Sequence, residues 1–351
     1  MLPISVVMPS YNHAPYVSRA IESVLRQSFG EYEFLIADDG SNDGTRDIIQ
    51  TFHDKRIQFF PHQNNRGACT VHNELLAQAK GKYVALINSD DMWMEGKLEK
   101  QFNYLEKNNH MAGYFGRAVF VNAQDVVLKK DSLSFGRIFD QPNRTQAEWV
   151  RFFFDHSNCL CHPSSMIKRE CYSSLGGYNN RFRQLPDFDM WVRLVKKYPI
   201  YVDNDPLIYF RILSKKNTSS STLENNMRVM NEHYLIAENF FEDLSETLFK
   251  EAFSDRFCDL PADAVRDLRV EKILQYFVEN DNLGKIYQQI GLQKIFSELN
   301  DSTRNRFLKE NYCIDDQYFQ NISGKKSLFY DQRLDEKGSV VKKIIRKFLY
   351  L

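Results

Sequence analysis

The chain reads as an α/β protein, a mixed and mostly parallel sheet flanked by helices with an α-helical C-terminal extension. Three observations predict this. Short β-forming runs alternate with helical segments through the first hundred residues, the loops that end those runs carry acids, Asn and Gly, and beyond Leu223 the strand-like runs stop. Alternation of this kind implies parallel strands joined by right-handed crossovers. With 351 residues and a hydrophobic fraction of 43%, there is material for one large domain plus an extension, or for two domains.

Ile4-Ser5-Val6-Val7-Met8 is the first strand, closed by Pro9 and followed by the loop Ser10-Tyr11-Asn12-His13. Pro15 suits a first helical turn, and Val17, Ala20, Ile21 and Val24 follow at helical spacing. The second unit repeats the order: strand Glu33-Phe34-Leu35-Ile36-Ala37, polar turn Asp38-Asp39-Gly40-Ser41-Asn42-Asp43-Gly44, then a helix from Thr45 to Phe52, with Ser41 or Asp43 able to cap it. Ile57-Gln58-Phe59-Phe60 is a third strand and Ala68 to Ala79 a third helix.

Tyr83-Val84-Ala85-Leu86-Ile87-Asn88 is the fourth strand, an uninterrupted apolar run of the kind buried on both faces of a parallel sheet. It ends in Ser89-Asp90-Asp91. Acids there stand where open α/β sheets bind ligands, beyond the strand tips. Two adjacent carboxylates repel unless a positive group joins them, and hard oxygen ligands suit Mg2+ or Mn2+.

Past these acids come a helix with Leu98, Phe102 and Leu105 on one face, a strand from Tyr114 to Val121, and the capping box Thr145-Gln146-Ala147-Glu148 opening another helix. His162 to Ile167 reads as β, Asp187 to Lys196 as a helix, and Pro206 to Phe210 as the closing strand. Residues 214–222 form a polar run, read as a mobile loop or boundary. The remainder is helical, with an amphipathic stripe at Val270, Ile273, Leu274 and Phe277. From Val340 to Leu351, Val341, Ile344, Ile345 and Phe348 share one face opposite Lys342, Lys343, Arg346 and Lys347, either a docking helix or one lying on a membrane surface.

Lys+Arg 46 against Asp+Glu 46 offers no global charge for a nucleic-acid partner. Six scattered cysteines do not form a disulfide framework, and reduced thiols are expected. Cys159-Leu160-Cys161-His162 lacks the second ligand pair of a structural zinc site and reads instead as a half-buried strand. No secretory leader or membrane-spanning run is evident, so a cytoplasmic protein is expected.

Four segments together resemble the family 2 glycosyltransferases. They are Ser5 to Asn12, Asp38 to Thr45, Asn88-Ser89-Asp90-Asp91, and Leu185-Pro186-Asp187-Phe188-Asp189-Met190-Trp191. The resemblance spans about residues 1–220 and implies the GT-A fold, a Rossmann-like sheet. It implies a transferase domain over 1–220, with a nucleotide-binding half (1–110) and an acceptor and catalytic half (111–220). Residues 221–351 are then a helical region for oligomerisation, acceptor binding or membrane docking.

By the same resemblance Pro9, Tyr11 and Asn12 shape the nucleotide pocket and Asp39 pairs with the uracil edge. Ser89 faces the donor, Asp90 faces the ribose or the metal, Asp91 holds Mn2+ or Mg2+ against the diphosphate, and Asp187 is the catalytic base, with Asp189 its competitor. His162 and Arg66 are candidate donor contacts, His162 standing level with a structural role. Arg211 is, like Arg66, a phosphate candidate, although a solvated surface arginine is the default for both.

The implied activity is inverting transfer from a nucleotide sugar, UDP-linked, to a hydroxyl of a glycan or lipid-linked saccharide. The implied setting is bacterial surface polysaccharide or lipopolysaccharide synthesis at the cytoplasmic face of the inner membrane, reached through the basic tail, with a homo-oligomer also envisaged. Pro186 stands where relatives usually have Glu, Val71-His72-Asn73 replaces the frequent Ala-Arg-Asn, and Leu213 stands near an expected His. These departures keep open a GT-A-fold scaffold without catalysis. A sugar nucleotidyltransferase is a further alternative, but it would carry a Gly-rich basic loop after the first strand, which Ser10-Tyr11-Asn12-His13 is not.

Overall fold

A computed structural model describes residues 2–213, 222–280 and 283–325. Residues 214–221 of the polar run and the basic tail from Val340 lie outside the described residues. The chain divides into two compact units. Met1–His233 with Asp243–Leu248 form the first, and Tyr234–Glu242 with Phe249–Leu351 the second.

The first unit opens with the expected βα series: β1 (Ile4–Ser10), α1 (Val17–Leu25), β2 (Tyr32–Asp38), α2 (Thr45–Gln50), β3 (Ile57–Pro61), α3 (Ala68–Gln78) and β4 (Tyr83–Leu86). Strand β1 pairs in parallel with β2 and β4, and β2 with β3. Ile4, Val6 and Met8 on β1, Phe34 and Ile36 on β2, and Ala20, Ile21 and Val24 on α1 are all inaccessible to solvent and form one core. Each of these Ile, Val, Met and Phe side chains contributes about 1.5–3 kcal/mol by leaving water. Gly81 shows why this half tolerates no bulk where α3 returns to β4: a Cβ there would sit 2.3 Å from the Ser5 backbone nitrogen.

The second half departs from the simple alternation. After β5 (Met92–Trp93) and α4 (Lys97–Lys107) come β6 (Gly113–Val121), α5 (Gln146–His156), β7 (Met166–Lys168), α6 (Arg169–Leu175), α7 (Pro186–Lys197) and β8 (Ile200–Arg211). The sheet order is β3-β2-β1-β4-β7-β6-β8-β5. Strand β7 runs antiparallel to both β4 and β6, so β6 points the same way as β4, and β8, parallel to β6, does too. The carboxyl ends of β1, β2, β4 and β8 therefore share one edge of the sheet.

Two expectations need correction. The Cys159 to Ser165 stretch is not strand: its turn His162–Ser164 is a short 3-10 helix and β7 begins only at Met166. Pro163, with its fixed φ and missing N–H, suits that turn better than a central strand. The closing strand is also longer than read, because β8 runs on from Ile200 through the polar Asp203-Asn204-Asp205. Register irregularities around Arg117 on β6 absorb that interruption.

The second unit draws on the C-terminal part of α8 (Leu223–Glu238) and on α9 (Glu246–Phe253), α10 (Leu268–Leu274), α11 (Gly284–Asn300), α12 (Ser302–Tyr312) and α13 (Asp316–Ser323). The expected stripe places Val270 and Ile273 with Ile295, Leu308 and Ile314 in a separate core. Among the described residues, no helix is long and apolar enough to cross a membrane.

Candidate active site

The loops at the shared edge interlock. After β1, Asn12 takes a left-handed backbone conformation (φ +53°), its N–H donates to Ser41 Oγ at 2.8 Å, and its Oδ1 accepts from the Asn42 N–H at 3.0 Å. Ser41 thus braces the β1 loop instead of capping α2, whose Thr45 N–H donates to Asp43 Oδ1 at 3.0 Å. Pro9 stays within the sheet opposite Ala37, and Tyr11 is 43% exposed beside these loops.

Asp39 is buried behind Gly40, whose φ of +76° lets the chain turn within van der Waals contact of Asn64. Its two oxygens accept the backbone N–H groups of Arg66 at 2.6 Å and Gly67 at 3.0 Å. Each oxygen keeps a further lone pair for a ligand donor. The Arg66 guanidinium is half-exposed and turns to Glu74 at 2.6 Å.

At the tip of β4, Ser89, Asp90 and Asp91 are all buried. His13 joins this loop to the first: its Nδ1 lies 2.8 Å from Ser89 Oγ and its Nε2 3.9 Å from Asp90 Oδ2. Asp91 Oδ1 accepts the Arg211 backbone N–H at 2.8 Å and its Oδ2 accepts from the Asn88 carboxamide at 3.0 Å. Burial holds both carboxyls above the usual carboxylate range, and Asp91 is pushed further by the neighbouring Asp90. A charge penalised in this way is relieved by a divalent cation, so the pair fits Mn2+ or Mg2+. Among the described residues no third His, Cys, Asp or Glu completes a cluster. That donor set matches Mg2+-type sites, which use one or two carboxylates with substrate phosphates and water.

Arg211, the last residue of β8, is buried rather than solvated. Its Nε donates to the Asp90 carbonyl at 2.7 Å, its Nη1 to the Asn122 carbonyl at 2.7 Å, and its Nη2 pairs with Asp125 at 2.5 Å. The guanidinium also lies over the Tyr16 ring, 4.7 Å from the centroid. Arg211 thereby ties the β4 tip to the β1 loop region and to the turn after β6. Neither it nor His13 was singled out for this role by sequence. The only sequence signal for Arg211 is its place closing the apolar run of β8, at a strand end.

Asp187 lies in the first turn of α7. Its Oδ2 accepts from Asn158 Nδ2 at 2.7 Å and its Oδ1 from the Phe188 N–H at 2.8 Å. Burial raises its pKa to about 6, with Glu232 adding to the rise against those two hydrogen bonds. Asp189 differs, being held by the Arg193 guanidinium at 2.6 and 3.0 Å. His162 joins an aromatic group, with Nε2 2.8 Å from the Tyr178 hydroxyl and its ring beside His72 and Trp191. Burial lowers its pKa to about 3, so it is neutral at physiological pH. Trp191 is wholly buried against Phe115.

Residues 5–176 match the model of glycosyl transferase family 2. TuaG of Bacillus subtilis, a glycosyltransferase provisionally placed in teichuronic acid biosynthesis, is 31% identical over 230 residues, which is 62% of this chain and 82% of that protein. WfgD of Escherichia coli, a UDP-Glc:alpha-D-GlcNAc-diphosphoundecaprenol beta-1,3-glucosyltransferase, is 36% identical over 126 residues, 36% of this chain and 49% of WfgD. Among solved structures, residues 1–349 of TarS from S. aureus, in complex with UDP-GlcNAc, align with a TM-score of 0.54 at 17% identity, covering 87% of this chain and 83% of that one. That likeness is one of fold. On the family model and the TuaG match, the chain belongs to family 2 of the glycosyltransferases, with a GT-A-type sheet.

Proposed function

We propose that the protein transfers a sugar from a UDP-sugar to a hydroxyl of a glycan or lipid-linked saccharide, with inversion at the anomeric carbon. The observation that carries this reading is the division of acids into two centres: a buried, Arg211-braced pair at Asp90 and Asp91, and a separate half-buried carboxyl at Asp187 poised near neutral pH. A base works best with a pKa near the working pH, and a value of about 6 leaves Asp187 both ionised and basic. Asp189, occupied by Arg193, is the poorer candidate.

In this reading Tyr11, Asn12 and Asp39 receive the nucleoside, Ser89 and Asp90 the ribose and diphosphate, and Asp91 directs its carboxylate at a Mn2+ or Mg2+ ion. Bound there, such an ion stabilises the charge that develops on the departing diphosphate. Asp187 takes the proton of the acceptor hydroxyl as the new bond forms on the opposite face of the sugar. The donor assignment draws on WfgD, whose name specifies UDP-Glc, a diphosphoundecaprenol-linked acceptor and a beta linkage. A role in polysaccharide synthesis is supported by that name and by TuaG.

Incubation with Mn2+ and a panel of nucleotide sugars, UDP-glucose first, tests the proposal through nucleotide release and transfer. Turnover with a UDP-sugar supports it. Turnover only with a GDP- or dTDP-sugar would overturn the donor assignment, and inertness toward every donor would favour a GT-A scaffold.

A further inference from the structure

Helix α7 begins without an ordinary cap. Its N-cap is Leu185, whose side chain has no acceptor, and its first residue is Pro186. The N–H groups of the preceding turn nevertheless converge on one acid. Glu232, on α8 and only 6% exposed, accepts from the Arg183 N–H at 2.9 Å, the Gln184 N–H at 2.9 Å and the Leu185 N–H at 2.7 Å. Three successive backbone donors around one carboxylate form an anion nest, and an ionised carboxylate, which only accepts, matches them.

The next residue of α8 supports the other flank. His233 Nε2 lies 3.1 Å from Ser157 Oγ, and its ring packs on Phe188 with centroids 5.5 Å apart. Ser157 takes a strained backbone conformation (φ +87°) immediately before Asn158, which donates to Asp187. Two adjacent residues of α8 therefore fasten both chain segments that meet at Asp187.

We propose that Glu232 is a positioning residue for the catalytic base, fixing the turn that presents Asp187 and setting a second negative charge beside it. The inference rests on Asp187 being the base. It also accounts for Pro186: a carboxylate reaches this turn from α8 instead of from α7 itself.

The other ionisable groups around Asp187 do not supply that charge. Cys69 on α3, with its Sγ 3.4 Å from the Phe182 carbonyl, is kept as a thiol, pushed up to about 11 by burial and by Asp187, Glu232 and Asp189. Tyr178 is held well above the ordinary phenol range by burial. His233 is lowered to about 4 by burial and stays neutral, as does His72, also at about 4. Asp189 on α7 is neutralised by Arg193. Asn158 after α5 is neutral, and Arg183 meets Glu232 through its backbone.

The test compares the full-length protein with its Glu232→Gln variant by amide hydrogen exchange over residues 183–189 and by carboxyl titration of Asp187 in 13C-aspartate-labelled protein, assigned with Asp187→Asn. Gln keeps the length but loses the charge and one acceptor oxygen. The Gln184 and Leu185 amides are expected to exchange roughly tenfold faster, and the Asp187 midpoint to fall below its wild-type position. Affinity for UDP with Mn2+ stays unchanged. Wild-type exchange with an unmoved midpoint would overturn the proposal.

Glu232→Asp provides a second check if the Gln variant does not fold. Its shorter carboxylate keeps the charge but cannot span all three donors, so exchange should quicken while the midpoint stays. Wild-type exchange in that variant would again overturn the proposal. Retained sugar transfer by Asp187→Asn would instead remove the base assignment and leave the exchange result standing, so the two failures are distinguishable.

Discussion

The two acidic centres of this protein are built on opposite principles. At the tip of β4, Asp90 and Asp91 lie side by side, buried and fastened by Arg211, Asn88 and His13. At the start of α7, Asp187 is touched by a neutral carboxamide and its neighbour's N–H, and the nearby charge is another carboxylate, Glu232. The first arrangement concentrates negative charge and braces it, which suits holding a cation and a diphosphate. The second withholds positive partners, which suits taking a proton. Burial is the largest cause of the raised pKa in both centres; what differs is the partners, Arg211 and His13 at the β4 tip and an uncharged carboxamide at Asp187.

The largest effect should come from breaking the second centre. Asp187→Asn is expected to lower the transfer rate by roughly a hundred to ten thousand fold while leaving the donor KM near wild type. Steady-state kinetics decide this, and a loss under tenfold would move the base elsewhere. Breaking the brace of the first centre acts on stability instead. Arg211→Met leaves the Asp90 and Asn122 carbonyls without their guanidinium donor and removes one of the two arginines paired with Asp125, and should cost about 3 kcal/mol in urea unfolding. A change below about 1 kcal/mol would mean that the guanidinium is dispensable.

The pH profile sharpens the contrast more gently. Since Asp187 must be ionised to act, and its pKa is raised to about 6, the rate should plateau above that value and fall roughly tenfold for each pH unit below it. A rate unchanged down to pH 4 contradicts the assignment. Smallest of all is Asp189→Asn, which removes a partly exposed pair with Arg193 and should cost about 0.5–1 kcal/mol with little change in rate.

Much of the first centre was legible in the sequence because β2 and β4 are largely apolar runs that end in recognisable acids, and β1 is one that ends in Pro9 and the polar loop Ser10-Tyr11-Asn12-His13. The second half was harder. Strands β7 and β5 are three and two residues long, too short for a period to register, and the early part of β8 is interrupted by Asp203-Asn204-Asp205-Pro206, which reads as a turn. The braces were least visible. Arg211 and Glu232 act through backbone groups far away in sequence, and no spacing rule connects Glu232 to the N–H groups of 183–185. His13 sits in a loop whose significance depends on β1 lying beside β4.

The central claim is that donor binding belongs to the β4 tip and proton transfer to the start of α7. Calorimetric titration of UDP with and without Mn2+ into wild type, Asp91→Ala and Asp187→Asn tests it most directly. The account predicts that Mn2+-dependent UDP binding is lost in Asp91→Ala and unchanged in Asp187→Asn. Wild-type affinity in Asp91→Ala, or lost affinity in a folded Asp187→Asn, would contradict it.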